Sequence, residues 1–147
     1  MAIWQYRFTL IPKNSISNVS FNPQFDEDGL FRDDVYWLGF PTSFDFFHDV
    51  EKIIPKTKSW SNDLLLFGSE ESNCLEVYRE NGYVTSVSLR VDFTSDYEVF
   101  LRMIIEFIFL KGLILLDEGN NVLEINYLTI KETIEKSVQF QMFRKLN

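Results

Sequence analysis

The sequence predicts a single α+β domain with a largely antiparallel sheet and about three helices, in the order β-α-β-β-β-α-β-β-α. Three observations lead there. Trp4, Tyr6, Phe8 and Leu10 alternate with Gln5, Arg7 and Thr9, the period of a strand with one buried face. Two apolar rows flank Asn81-Gly82, a dipeptide that favours a hairpin turn. Helical periodicity occupies separate stretches near residues 42–54, 95–111 and from Thr129 onward, with strands between them. At 147 residues the chain has the size of one domain, 1–147, and its 15 Phe, 6 Tyr and 3 Trp supply a core rich in rings.

Pro12 ends the first strand. Residues 12–40 read as a long acidic loop holding only a short strand at 35–38, and all 4 prolines lie in the first 55 residues. A connection of this length within a compact domain is more often functional than idle. A helix then opens at Thr42 or Ser43, with Phe46, Phe47, Val50, Ile53 and Ile54 on one face, and Pro55 stops it. Leu64-Leu65-Leu66-Phe67 is a continuous apolar run, as in a strand buried on both sides.

In the hairpin, a two-residue Asn81-Gly82 turn would pair Val77 with Ser86 and put the two apolar rows on opposite faces. A three-residue loop of Glu80, Asn81 and Gly82 pairs Leu75 with Val87 and gives one apolar face, so that register is expected. Ser95 with Glu98 resembles a capping box for the next helix, which runs to Lys111 with Gly112 as its stop. That helix is apolar around most of its circumference, so it is a central core helix or packs its outer face on another chain. Residues 113–116 and 122–128 read as strands around the turn 117–121, and Thr129 with Glu132 opens the last helix. Phe140 and Phe143 leave its apolar stripe. Either they form an exposed patch, or 138–143 is a short strand.

Charge narrows the function. A formal net charge of −8 disfavours nucleic acid and anionic membrane surfaces, and matches a basic protein. The segment 99–116 is broken by Arg102, Glu106 and Lys111, which argues against a membrane span. The opening residues Met1 to Arg7 carry no secretory-signal pattern, so the expected compartment is the cytoplasm.

Catalytic and metal sets are scarce. Cys74 is the only cysteine and His48 the only histidine, so no internal disulfide and no usual zinc ligand set is expected. A Cys74–His48 nucleophile pair requires the two to meet in space, whereas a strand cysteine is usually a small buried hydrophobe. Aligning Gly29 with a calcium-loop glycine puts Gln24 and Val35 where carboxylates are needed, so that motif fails. No glycine pattern suits a phosphate loop, and nothing singles out a carboxylate pair. The expectation is a non-enzyme without cofactor or metal.

Surface features remain. Asp26, Glu27, Asp28, Asp33 and Asp34 crowd one segment with Leu30 and Phe31, a mixture that suits charge steering with aromatic anchoring, and equally a solvated loop. Trp60 is either an interface anchor or a cap over the core, the commoner fate of a large ring. Glu70 and Glu71 form a second acidic turn.

A small acidic α/β chain containing Ile3-Trp4-Gln5-Tyr6, Lys58-Ser59-Trp60, Phe67-Gly68 and Ser88-Leu89-Arg90-Val91-Asp92 resembles the cytoplasmic immunity proteins of bacterial toxin–immunity systems, including contact-dependent growth inhibition. The resemblance implies a protein that binds a cognate toxin domain, often a basic nuclease, and covers its active or substrate-binding surface. That group shares no catalytic motif, so no functional residue carries over by position. Asp26, Glu27, Asp28, Phe31, Asp33, Asp34, Trp60, Glu70 and Glu71 are the expected toxin-facing residues. The competing readings are a homo-oligomeric structural or adaptor protein, using Phe140 and Phe143 or the outer face of the 99–110 helix, and a small carboxylate- or thiol-dependent enzyme.

Overall fold

A computed structural model describes residues 4–16 and 22–147; Met1, Ala2, Ile3 and the part of the long loop at 17–21 lie outside the described residues. Its centre is a seven-stranded antiparallel sheet, built from β1 (Gln5–Pro12), β2 (Lys56–Thr57), β3 (Leu64–Gly68), β4 (Cys74–Glu80), β5 (Tyr83–Asp92), β6 (Leu113–Leu116) and β7 (Val122–Leu123) in the spatial order β2-β3-β4-β5-β1-β6-β7. Four α-helices accompany it: α1 (Asp34–Leu38), α2 (Glu98–Leu110), α3 (Tyr127–Glu135) and α4 (Val138–Leu146), with short 3-10 helices at Lys13–Ser15 and Phe44–Lys52. The α+β class therefore holds, with more helical segments than expected.

The alternation of β1 decides which face becomes the core. Its Tyr6, Phe8 and Leu10 stand opposite Val91, Leu89 and Val87, and β4 continues that row with Leu75 and Val77. Against it pack Phe47 and Val50 of the 3-10 helix, Leu101, Ile104 and Ile108 of α2, and Ile130 and Ile134 of α3, all fully buried. Each such side chain contributes about 1.5–3 kcal/mol of burial. The outer side of α2 keeps Val99, Met103, Phe109 and Leu110 exposed, so the helix is both a core element and an apolar surface. Among the described residues no helix is long and apolar enough to cross a membrane.

Several local expectations are corrected. The β4–β5 turn is the two-residue Asn81-Gly82, with φ of 55° and 82°, and not the three-residue loop. A β-bulge at Tyr78/Arg79 inserts one extra residue on β5, which moves Val77 from Ser86 to Val87. One apolar face results by a different device. Residues 35–38 are helical, not a strand, and lie inside α1, which follows Asp33 and has Asp34 in its first turn, where carboxylates favour a helix start. The helix expected from Ser43 keeps Ser43 as its cap but is of 3-10 type, consistent with the three-residue spacing of its buried Phe47 and Val50.

Neither capping box forms. Ser95 Oγ donates to the Asp92 carbonyl instead, and α2 starts at Glu98. Asn126 caps α3 by accepting from the Leu128 and Thr129 amides, and the strand expected over 122–128 shrinks to Val122–Leu123. The last helix breaks at Ser137, whose side chain accepts the Phe140 N–H and starts α4. Phe140 and Phe143 are then half-buried, 5.2 and 5.7 Å from the Phe93 ring, and are neither an exposed patch nor a strand.

Candidate protein-binding face

The opposite face of the sheet is unlike the core face. Along it the register aligns Arg7 with Arg90, Thr9 with Ser88, Glu76 with Ser88, and Cys74 with Arg90. Its β1–β6 end is apolar: Ile11, Ile114 and Leu116 are buried beneath Ile16, Phe31 and Tyr36. Its centre is polar. Glu76, 2% exposed, holds Arg90 in an ion pair of 2.9 Å, with Ser88 and Tyr78 hydroxyls each 3.4 Å from its carboxylate. That pair neutralises one member of the Arg7–Arg90 couple, whose like charges would otherwise oppose each other across the strands.

A cleft of about 460 Å³ opens on this face over Arg7, Thr9 and Ser86. Leu30, Phe31 and Asp33 form one wall, and Asp117, Glu118 and Asn120 the other. The first wall belongs to a small hairpin-like loop. Phe25 bridges to Phe31, and the Asp26 side chain accepts the Asp28 and Leu30 amides at 2.8 and 2.9 Å, closing a turn at Gly29, whose φ is 80°. Phe31 packs between Phe25 and Tyr36, with ring centroids 6.2 and 6.0 Å apart.

The carboxylates around the cleft are held in place. Asp33 accepts the Ser86 hydroxyl at 2.6 Å, and burial raises its pKa above the ordinary aspartate value, opposed by that hydrogen bond and by Arg7. Glu118 accepts the Arg7 amide at 3.2 Å and the Gln139 side chain at 2.9 and 3.1 Å. Asp117 accepts the Gly119 and Asn121 amides, each at 2.9 Å. Among the described residues Asp33, Asp117, Glu118 and Arg7 enter no salt bridge.

A second, shallower groove of about 470 Å³ runs over Leu66 and Gly68 on the same face of the sheet, lined also by Lys58, Trp60, Glu70 and Glu71. Trp60 is 72% exposed, so it does not cap the core. Gly68 takes a left-handed φ of 85°, and a side chain there would run into the Asn73 carbonyl and Ile54.

The nine residues singled out from the sequence therefore separate into groups. Phe31 and Asp33 meet at the first cleft, and Trp60, Glu70 and Glu71 at the second. Glu27 and Asp28 project from the loop tip with no side-chain partner among the described residues, whereas Asp26 is committed to its own turn. Asp34 pairs with Arg32 at 3.0 Å, which holds its carboxyl below the usual range. Arg7, Ser86, Asp117, Glu118 and Asn120 were not anticipated. Arg7 did carry a signal, as the one charge within the alternation of β1; the others needed the register.

The nucleophile pair does not form. Cys74 lies on the polar face, buried, with its thiol pushed up to about 12 by that burial and by Glu76. His48 lies on the 3-10 helix that packs against the core face, exposed, its Nδ1 3.0 Å from the Asp45 carbonyl. Among the described residues no group of three or more His, Cys, Asp or Glu could hold a metal ion. No family model, curated protein or solved structure matches this chain.

Proposed function

We propose that this protein is an immunity protein, acting in the cytoplasm, that binds a cognate toxin domain with a basic surface and covers its active or substrate-binding surface. One observation carries the reading: carboxylates and rings from distant parts of the chain stand together on one sheet face, Phe31 with Asp33, Asp117 and Glu118 at one cleft and exposed Trp60 with Glu70 and Glu71 at the other. Acids that steer and rings that anchor are the two ingredients of a protein interface. The net charge of −8 favours a basic partner.

The test is to identify the neighbouring genes and to co-express this chain with any secreted or toxin-like domain found there. Growth should be rescued and the two proteins should co-purify. Reversing charge at Glu27, Asp28, Glu70 and Glu71 together should weaken binding by about tenfold or more, with the fold intact by circular dichroism. Failure of both rescue and co-purification sinks the reading.

A homo-oligomer has its own support in the exposed Val99, Met103 and Leu110 of α2, at helical spacing. A single monomeric species in sedimentation at high concentration removes it. Phe140 and Phe143 no longer argue for it, because Phe93 and Trp4 pack against them.

A further inference from the structure

We infer that the cleft over Arg7, Thr9 and Ser86 is a socket for one arginine side chain of the basic partner. The inference rests on the reading above for the partner, while the chemistry of the socket can be tested separately.

The lining sets three carboxylates, Asp33, Asp117 and Glu118, against the single cation Arg7. The cleft thus has an unmatched negative charge of two, and a cation is the ligand it favours. These carboxylates are already oriented, by Ser86, by the Asp117–Asn121 turn and by Gln139 with the β1 backbone. A partner cation therefore needs little rearrangement to meet them, which is the condition for a strong contact. Burial of Asp33 adds to this, because a desolvated carboxylate gains more from an incoming opposite charge than a solvated one.

Arginine fits better than lysine. The acceptors are spread around the cleft, on Asp33, Asn120, Thr9 and Ser86, and a guanidinium offers five donors in one plane whereas an ammonium is a point charge. Leu30 and Phe31 give an apolar and aromatic wall for the stem and the flat head. Arg7 is the one like charge. Its presence means that a cation-binding socket and an anion-binding one respond oppositely when it is neutralised.

The experiment is a titration of the isotope-labelled protein with capped Gly-Arg-Gly, Gly-Lys-Gly and Gly-Glu-Gly at constant ionic strength, followed by amide NMR. The arginine peptide should give saturable shifts at Arg7, Phe31, Ser86 and Glu118, and bind more tightly than the lysine peptide. Asp33→Asn should weaken it about fivefold or more, and Arg7→Gln should tighten it about threefold, since one removes an attraction and the other a repulsion. Preference for the glutamate peptide, equal binding of lysine, shifts spread over the whole acidic surface, or loss of binding in Arg7→Gln would each overturn the socket. If a toxin partner is captured but its affinity is unchanged in both variants, the socket falls and the immunity reading stands. If the arginine peptide binds as described and no partner is neutralised, the reverse holds.

Discussion

Asp33 is a carboxylate that the folded chain ionises only against the cost of its burial. Burial raises its pKa, so the folded chain holds that proton more tightly than the unfolded chain does. The stability this group contributes is fully present below the unfolded-state pKa of about 3.9 and is lost as pH rises through the folded-state value. Arg7, Asp34, Asp117 and Glu118 surround it and are unchanged in Asp33→Asn, so that variant isolates the one titration. Asparagine still accepts the Ser86 hydroxyl. The variant should therefore melt above the wild type at pH 7 and level with it in acid, and thermal unfolding at both pH values would show this; a lower melting point at pH 7 would mean that ionised Asp33 is stabilising. Gly68 is the opposite case, required by the backbone. Gly68→Ala combines a left-handed φ with a collision against the Asn73 carbonyl, and should cost about 2 kcal/mol or more in urea unfolding.

Elements were legible wherever periodicity alone defined them. The alternation of β1, the apolar run of β3 and the Gly112 stop after α2 follow from side-chain spacing and from a φ of 69° that glycine tolerates. Cap positions were less legible, because Ser and Thr occur near several candidate starts and only the three-dimensional path selects one. Ser95 gave way to Tyr97, which precedes α2 without a side-chain cap, and Thr129 gave way to Asn126, which does cap α3. The break before α4 belongs to the same class. Continuing the helix past Ser137 would carry Phe140 and Phe143 away from Phe93 and Trp4, so ring burial outweighs a few helical hydrogen bonds. Ser137→Ala should then cost about 1 kcal/mol through the lost cap, and Phe140→Ala about 2–4 kcal/mol, given its half-buried ring. Chemical denaturation of the two variants would rank them, and an equal cost would mean that the rings do not hold α4.

For the whole molecule, charge and exposed rings make predictions that no single element does. With a net charge of −8, association with a basic partner should slow about tenfold or more between 50 and 500 mM salt while dissociation changes less, as stopped-flow mixing would measure. Trp60 is 72% exposed, so Trp60→Ala should change stability by less than about 0.5 kcal/mol yet lower affinity for the partner. A large loss of stability would return that ring to a core role. The sequence by itself determined the class of the fold, the core face of β1 and the acidity of the 26–34 segment, because composition and period are local properties of the chain. Only the tertiary structure decided which acids meet. Arg7, Asp33, Ser86 and Glu118 are brought to one cleft by the pairing of β1 with β5 and β6, and a bulge of one residue in β5 shifts the pairing along that strand. Strand side chains alternate every residue, so a register error of one reverses the face, and spacing in sequence cannot fix a register that distant strands settle together.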